Sequence, residues 1–262
     1  MNNFRNKFSP LIGIAVFIIA MIILIFLGVP IQRSLGMGGV AITELMVLAM
    51  GILPAIILKQ DLKRVFPIKI PKVRQVFGTL LIWIGTLLFS LIVSMILMYF
   101  FPEDMIEVSS GLSKVITSVP FALQILIVAV MPAICEEALH RGFILANFKP
   151  LRNRFIIVLI MGIIFGIFHL DFYRFLPTFI LGCSLSYIMV ETDNMVLPML
   201  FHFVNNLMST MAGAFSNNAE ISEINANATQ KDMILIIGVM LILGSLIPIL
   251  YYFGSRLIKP KN

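Results

Sequence analysis

The feature that most limits the folds open to this chain is the order of its apolar runs, eight of which follow one another with only short polar breaks. They cover about Leu11 to Val29, Gly39 to Leu58, Val76 to Phe101, Pro120 to Phe148, Phe155 to Leu170, Phe175 to Val190, Met195 to Phe215 and Met233 to Gly254. Runs of this length suit helices that cross a bilayer. With 60% hydrophobic and 12% charged residues the chain is too apolar for a soluble domain, whose apolar share is about 45 to 50%. The expected fold is therefore all-α, a polytopic transmembrane bundle of about eight spans in a single membrane domain over residues 1–262. No internal repeat, soluble appendage or low-complexity tract interrupts it.

The net charge of +6 does not point to nucleic acid, because the basic residues lie between apolar runs, where they act as topology signals. Placing the N-terminus inside puts 14 of the 19 Lys and Arg in cytoplasmic segments and leaves Arg33, Lys114, Arg174 and Lys231 outside. Both termini are expected in the cytoplasm. Arg5 and Lys7 precede the first run, which is too long for a signal-peptide core and lacks a small-residue cleavage site. The proline-broken loop from Lys59 to Arg74 is expected on the cytoplasmic membrane surface. The 2 cysteines, Cys135 and Cys183, sit in apolar runs without metal or redox spacing and read as small hydrophobes. Asn227-Ala-Thr229 is a chance sequon in an outer loop.

One segment breaks the apolar pattern in mid-run: Glu136, Glu137, His140 and Arg141. A charge at a helix centre in lipid costs roughly 2.5 to 3.5 kcal/mol, so such a cluster needs partners. Glu137 and Arg141, four apart, can neutralise each other and leave Glu136 free for chemistry. The 3 histidines of the chain, His140, His169 and His202, all lie in apolar runs. Phe165 and His169 share a face, with Gly162 and Gly166 on nearly the same stripe allowing another backbone to come close. His202 and Asn206 are one turn apart, and Asn205 points elsewhere as the more structural of the two asparagines.

Glu136, His169, His202 and Asn206 come from three spans whose polar faces satisfy one another only by converging. A carboxylate beside imidazoles can take a proton from water, while His and Asn donors can stabilise an oxyanion. Peptide-bond hydrolysis within the membrane fits those parts. The same ligand types, Glu136, His169 and His202, could instead hold a divalent metal such as zinc; the helical His-Glu-x-x-His pair of zinc peptidases is absent, and the residues leave both open.

Glu136-Glu-Ala-Leu-His-Arg141, Phe165-Gly-Ile-Phe-His169 and His202-Phe-Val-Asn-Asn206 resemble the Glu-Glu-xxx-Arg, Phe-xxx-His and His-xxx-Asn motifs of the CPBP family. That family comprises type II CAAX prenyl endopeptidases and bacteriocin-processing or Abi membrane proteases. The resemblance covers about residues 120 to 210 and divides the chain into N-terminal spans (1–115), a catalytic core (116–215) and a last span with its outer loop and tail (216–262). It implies a glutamate-dependent intramembrane endopeptidase, often described as a metalloprotease, acting on a membrane-associated peptide or protein. Carried over, Glu136 is the general base and His169 its partner or a second activator. His202 and Asn206 become oxyanion donors or metal-site residues, and Glu137 with Arg141 orients the motif helix, supported by Phe165. His140 falls on a variable position and is read as non-catalytic. The expected location is the plasma membrane of a prokaryote.

Two other functions are compatible with the residues: a proton- or cation-coupled transporter using Glu136, His169 and Glu44, and a non-catalytic bacteriocin-immunity protein. Glu44 reads equally as an interfacial group or a buried polar partner, and Asp171 and Arg174 as loop charges, with Asp171 able to orient His169. Counted from the inner ends, Glu136 lies roughly 18 Å deep and His169 roughly 21 Å, but His202 only about 10 Å. A common level for the three requires the last helix to begin earlier, to bend near Pro198, or a neighbour to protrude.

Overall fold

The computed structural model describes residues 8–216 and 230–259. Arg5, Lys7, Lys261 and the sequon Asn227-Ala-Thr229 lie outside them. The described residues are 87% helical, with no strand among them. In order come α1 (Pro10–Leu35), α2 (Met37–Ile57), a short α3 (Leu62–Val65), α4 (Val73–Phe100), α5 (Pro102–Ile116) and α6 (Phe121–Leu151). Then follow α7 (Arg154–Phe168), α8 (Phe172–Thr192), α9 (Val196–Ser216), α10 (Gln230–Gly244) and α11 (Ile247–Ile258).

Among the described residues, 6 helices are long and apolar enough to cross a membrane, against the eight runs read from sequence. The two that fall short are α7, with 15 residues, and α9, whose 21 residues include His202, Asn205 and Asn206. The side chains of His202, Asn205 and Asn206 weaken α9 as a span, and α7 falls short because it ends at His169. The polytopic helical bundle is as expected, and the chain is an integral membrane protein. Its rim is apolar and faces outward, as Phe26 (71% exposed) and Ile57 (75%) show, and this is the surface that acyl chains cover.

Hairpin turns and close crossings set the packing. Gly36 takes φ +55° between α1 and α2, a conformation glycine adopts without a Cβ penalty. Gly78 and Gly254 cross back to back: a Cβ on either would lie 2.8 or 2.9 Å from the other's carbonyl oxygen, so α4 and α11 touch backbone to backbone. Beside that crossing a hydroxyl cluster joins three helices. Thr86 Oγ1 donates to Ser184 Oγ at 2.8 Å, and Tyr251 Oη lies 2.6 Å from both. Hydroxyls of this kind bind membrane helices together where lipid offers no competing partner.

Proline explains two irregular turns. A π-helical segment, Leu24–Gly28, precedes Pro30 in α1, and another, Ile125–Val130, precedes Pro132 in α6. The proline ring crowds the carbonyl four residues earlier and lacks the N–H that would bond it, and a widened turn relieves both. A third π segment, Ala138–Ile144, follows the two glutamates with no proline in it. Elsewhere Asp61, Asn153 and Asp171 cap α3, α7 and α8 with side-chain oxygens. The stretch holding Glu103, Asp104 and Glu107 forms the amphipathic α5, with acids in its first turn and Lys114 in its last, matching the helix dipole.

Candidate active site

The buried charges of α6 define the site. Glu137, His140 and Arg141 are fully enclosed and Glu136 is 8% exposed. As the i, i+4 spacing predicts, Arg141 donates to Glu137 Oε1 at 2.8 Å. Its second amino group donates to the Gly182 carbonyl of α8 at 3.1 Å, and its guanidinium lies 4.4 Å from the centre of the Phe165 ring. The approach of α8 depends on small residues: a Cβ at Gly182 would meet Phe165 Cβ at 2.7 Å and Gly162 Cα at 3.1 Å. Gly162 and Gly166 thus do what their stripe implies and admit α8, with Cys183 packed on Gly162. Cys135 and Cys183 are both free thiols, in keeping with a packing role.

Phe165, fully buried on α7, is the hub. Ring centres of His169, His140 and His202 lie 4.9, 5.1 and 5.8 Å from its own, all edge to face. The three imidazoles come from three different helices or their ends.

Each imidazole has the same nitrogen engaged. Nδ1 of His140 donates to the Glu136 carbonyl (2.8 Å), Nδ1 of His169 to the Phe165 carbonyl (2.9 Å), and Nδ1 of His202 to Glu137 Oε1 (2.9 Å). Carbonyls and carboxylates only accept, so Nδ1 carries the proton in all three rings, and a neutral ring presents Nε2 as its lone pair. For His140 that Nε2 is buried against Phe165 and Phe168 with no partner among the described residues. A neutral His202 accepts at Nε2 and donates there only as imidazolium.

Glu137 therefore bonds both Arg141 and His202, while Glu136 Oε2 is buried and engaged by no protein donor among the described residues. No hydrogen bond among them joins Glu136 to His169. The Glu136 carboxylate is within electrostatic reach of His202, Glu137, Arg141 and Glu44.

Asn206 holds a place that its motif alone does not reveal. Its amide donates to the Val128 carbonyl at 3.0 Å, the group that Pro132, four residues on, cannot bond. Asn205 donates to Asn206 Oδ1 at 3.3 Å, so it braces its neighbour instead of pointing elsewhere.

The depth mismatch of His202 has a structural origin. The Pro67 carbonyl accepts from the Met195 N–H at 2.8 Å, and the adjoining Val65 carbonyl would lie 3.6 Å from a Cβ at Gly142. The start of α9 is thereby level with Gly142. From there His202 and Glu136 are each about 9 to 11 Å up their helices, at 1.5 Å per residue. The last turns of α6 protrude beyond this level, and α9 neither begins early nor needs to bend.

Two outlying acids are resolved. Glu44 is buried at 8% exposure on α2, not interfacial, and a Cβ at Gly51 of the same helix would lie 2.8 Å from the Leu139 nitrogen, bringing α2 directly onto the motif segment. Its position two turns from Gly51 was the available sequence signal. Asp171 accepts from the Tyr173 and Arg174 N–H groups at 2.9 and 3.1 Å, which makes it a helix cap and leaves His169 to its own backbone bond.

No group of three or more His, Cys, Asp or Glu side chains among the described residues is placed to hold a metal ion. Glu136, His169 and His202 are not gathered into a ligand set, and no step below runs through a metal.

Fold and site together define a membrane-embedded helical bundle built around buried carboxylates, imidazoles and one guanidinium. Residues 118–208 match the sequence model of the Rce1-like family, type II CAAX prenyl endopeptidases, in agreement with the motif resemblance. The matched segment contains Glu136, Glu137, Arg141, Phe165, His169, His202 and Asn206. It supports an intramembrane protease of the CAAX type in general. No curated protein and no solved structure matches the chain.

Proposed function

We propose that the chain is a glutamate-dependent intramembrane endopeptidase that hydrolyses a peptide bond in a membrane-associated peptide or protein, a CAAX-like terminus or a bacteriocin-type leader. The observation that carries this reading is the division of labour between adjacent glutamates: Glu137 accepts from both Arg141 and His202 at Oε1, whereas the Glu136 side chain takes part in no ion pair and its Oε2 is engaged by no protein donor among the described residues. One carboxylate holds the frame and the other is available to a substrate water.

In the proposed reaction Glu136 accepts a proton from water as the oxygen attacks the scissile carbonyl. The Nε2 lone pair of His169, set by the Nδ1 bond to the Phe165 carbonyl, is a second acceptor on a ring packed against that hub. The developing oxyanion is stabilised by the imidazolium form of His202 and by the Asn206 amide hydrogen not used on Val128. Collapse breaks the C–N bond, and the proton taken up by Glu136 passes to the leaving amine. Residues 116–215 form the catalytic core in this scheme. In this reading the end of the bundle that carries Arg74, Lys149 and Arg154 faces the cytoplasm with both termini, in the plasma membrane of a prokaryote; the bias of Lys and Arg toward these connections supports it.

Purified Glu136→Gln and His169→Ala proteins should each lose cleavage of a prenylated or leader peptide by at least about a hundredfold, while eluting and melting as the wild type does. Full activity in both variants would defeat the proposal.

A further inference from the structure

A cavity of about 810 Å³ lies at the end of the bundle where α6 and α8 terminate, bounded by those helix ends and by the loop after α3. This is within the roughly 300 to 1,000 Å³ typical of ligand sites. Its lining joins four cations, Lys63, Arg64, Lys69 and Lys149, to a single carboxylate, Asp193. The remaining wall is apolar and includes Phe8, Phe66 and Ile68. The site described above lies elsewhere: Phe66 packs its ring over Gly142, between this cavity and the buried charges of α6.

Asp193 clamps the rim. It ends α8 in the left-handed conformation (φ +46°) and bonds Lys149 Nζ at 2.7 Å and Lys69 Nζ at 3.1 Å. Burial pushes its carboxyl up, but the bonds and charges of Lys149 and Lys69 outweigh that and hold it below the ordinary value. Both ammonium groups stay about half exposed, so a second anion can reach them. Arg64 bonds Asp61 at 3.4 Å in the open.

We propose that this cavity binds the headgroup of an anionic phospholipid, with the phosphate on the lysine rim and the first acyl carbons against Phe8, Phe66 and Ile68. Two features select a lipid over a soluble anion. The cavity is at the membrane surface, where basic pockets between helix ends meet anionic headgroups. The cationic loop also carries Ile68 and Ile70 at 70% and 98% exposure, side chains that the acyl layer beside the headgroups would cover. The charge balance selects an anionic headgroup, because a choline would place its own cation among the lysines.

The test is lipid retention by the full-length protein in nanodiscs and by native mass spectrometry, comparing phosphatidylglycerol, phosphatidylcholine and inorganic phosphate. Phosphatidylglycerol should be retained preferentially. Lys63→Gln/Lys149→Gln should weaken it by about 25-fold, about fivefold per cation. Asp193→Asn, which removes the competing carboxylate and leaves the lysines in place, should tighten it. Unchanged retention by the lysine variant, equal retention of phosphatidylcholine, weaker binding by Asp193→Asn, or a thermal shift produced by inorganic phosphate alone would each overturn the proposal. None of these readouts depends on proteolysis, so the lipid site and the protease reading fail or stand separately.

Discussion

Glu137→Gln separates the frame of the site from its chemistry. In the native protein Glu137 Oε1 accepts from Arg141 at 2.8 Å and from His202 at 2.9 Å, and Arg141 is fully buried. Glutamine keeps the shape and one acceptor oxygen but removes the charge, leaving a guanidinium whose remaining protein partners are the Gly182 carbonyl and the Phe165 face. Breaking a buried ion pair by neutralising one partner costs about 3 to 5 kcal/mol. For a chain of this size, about 2 to 4 °C of Tm per kcal/mol converts that into a loss of roughly 6 to 20 °C. The assay is thermal unfolding in detergent, followed through Trp83 fluorescence, beside Glu136→Gln as a control. Glu136→Gln should melt near the wild type, since it breaks no ion pair. Replacing the pair together, Glu137→Leu/Arg141→Met, should recover much of the loss, because no uncompensated charge remains. A Glu137→Gln protein that melts within about 2 °C of the wild type would refute the view that Glu137 holds Arg141 and His202 in place.

Asn206→Ala should cost about 1 to 3 kcal/mol by stranding the Val128 carbonyl, and the penalty should shrink in Asn206→Ala/Pro132→Ala, where residue 132 regains its N–H; paired thermal melts measure both. Gly182→Ala should destabilise by about 1 to 3 kcal/mol, because its Cβ would press on Phe165 and Gly162, and it should lower cleavage in the same preparation by displacing the hub. Asp193→Asn should cost less than about 1 kcal/mol at pH 7, since its ion pairs are half exposed. The folded-state pKa of Asp193 is depressed, so its stabilisation is complete above the ordinary carboxyl value and disappears as pH falls through the folded value; the Tm gap between variant and wild type should therefore close on acidification.

Much of this architecture is legible in the sequence because lipid leaves few choices. The apolar runs locate the helices, and the i, i+4 spacing of Glu137 and Arg141 predicts a bond that the structure contains. Other relations escape a single-chain reading because they join segments far apart. Nothing near His202 says that its Nδ1 will donate to Glu137, 65 positions away, or that Asn206 will reach Val128, 78 positions away. Pro132 did hold a clue, since a proline in a helix always leaves a carbonyl seeking a donor. The misjudged depth of His202 has a different cause. Run lengths assume that connections stay at the surface, whereas the link through Val65 and Pro67 dips to the level of Gly142.

The brevity of α7 bears on how a hydrolytic reaction is supplied with water. Its 15 residues extend about 22 Å, some 8 Å less than a hydrocarbon layer of about 30 Å. His169 ends that helix, and the charged Asp171 and Arg174 follow at once. A bilayer meeting this edge must thin or admit a wet funnel, because ionised side chains are not left in hydrocarbon. Such a dip gives solvent a route to His169 without any need for the long outer helices to part.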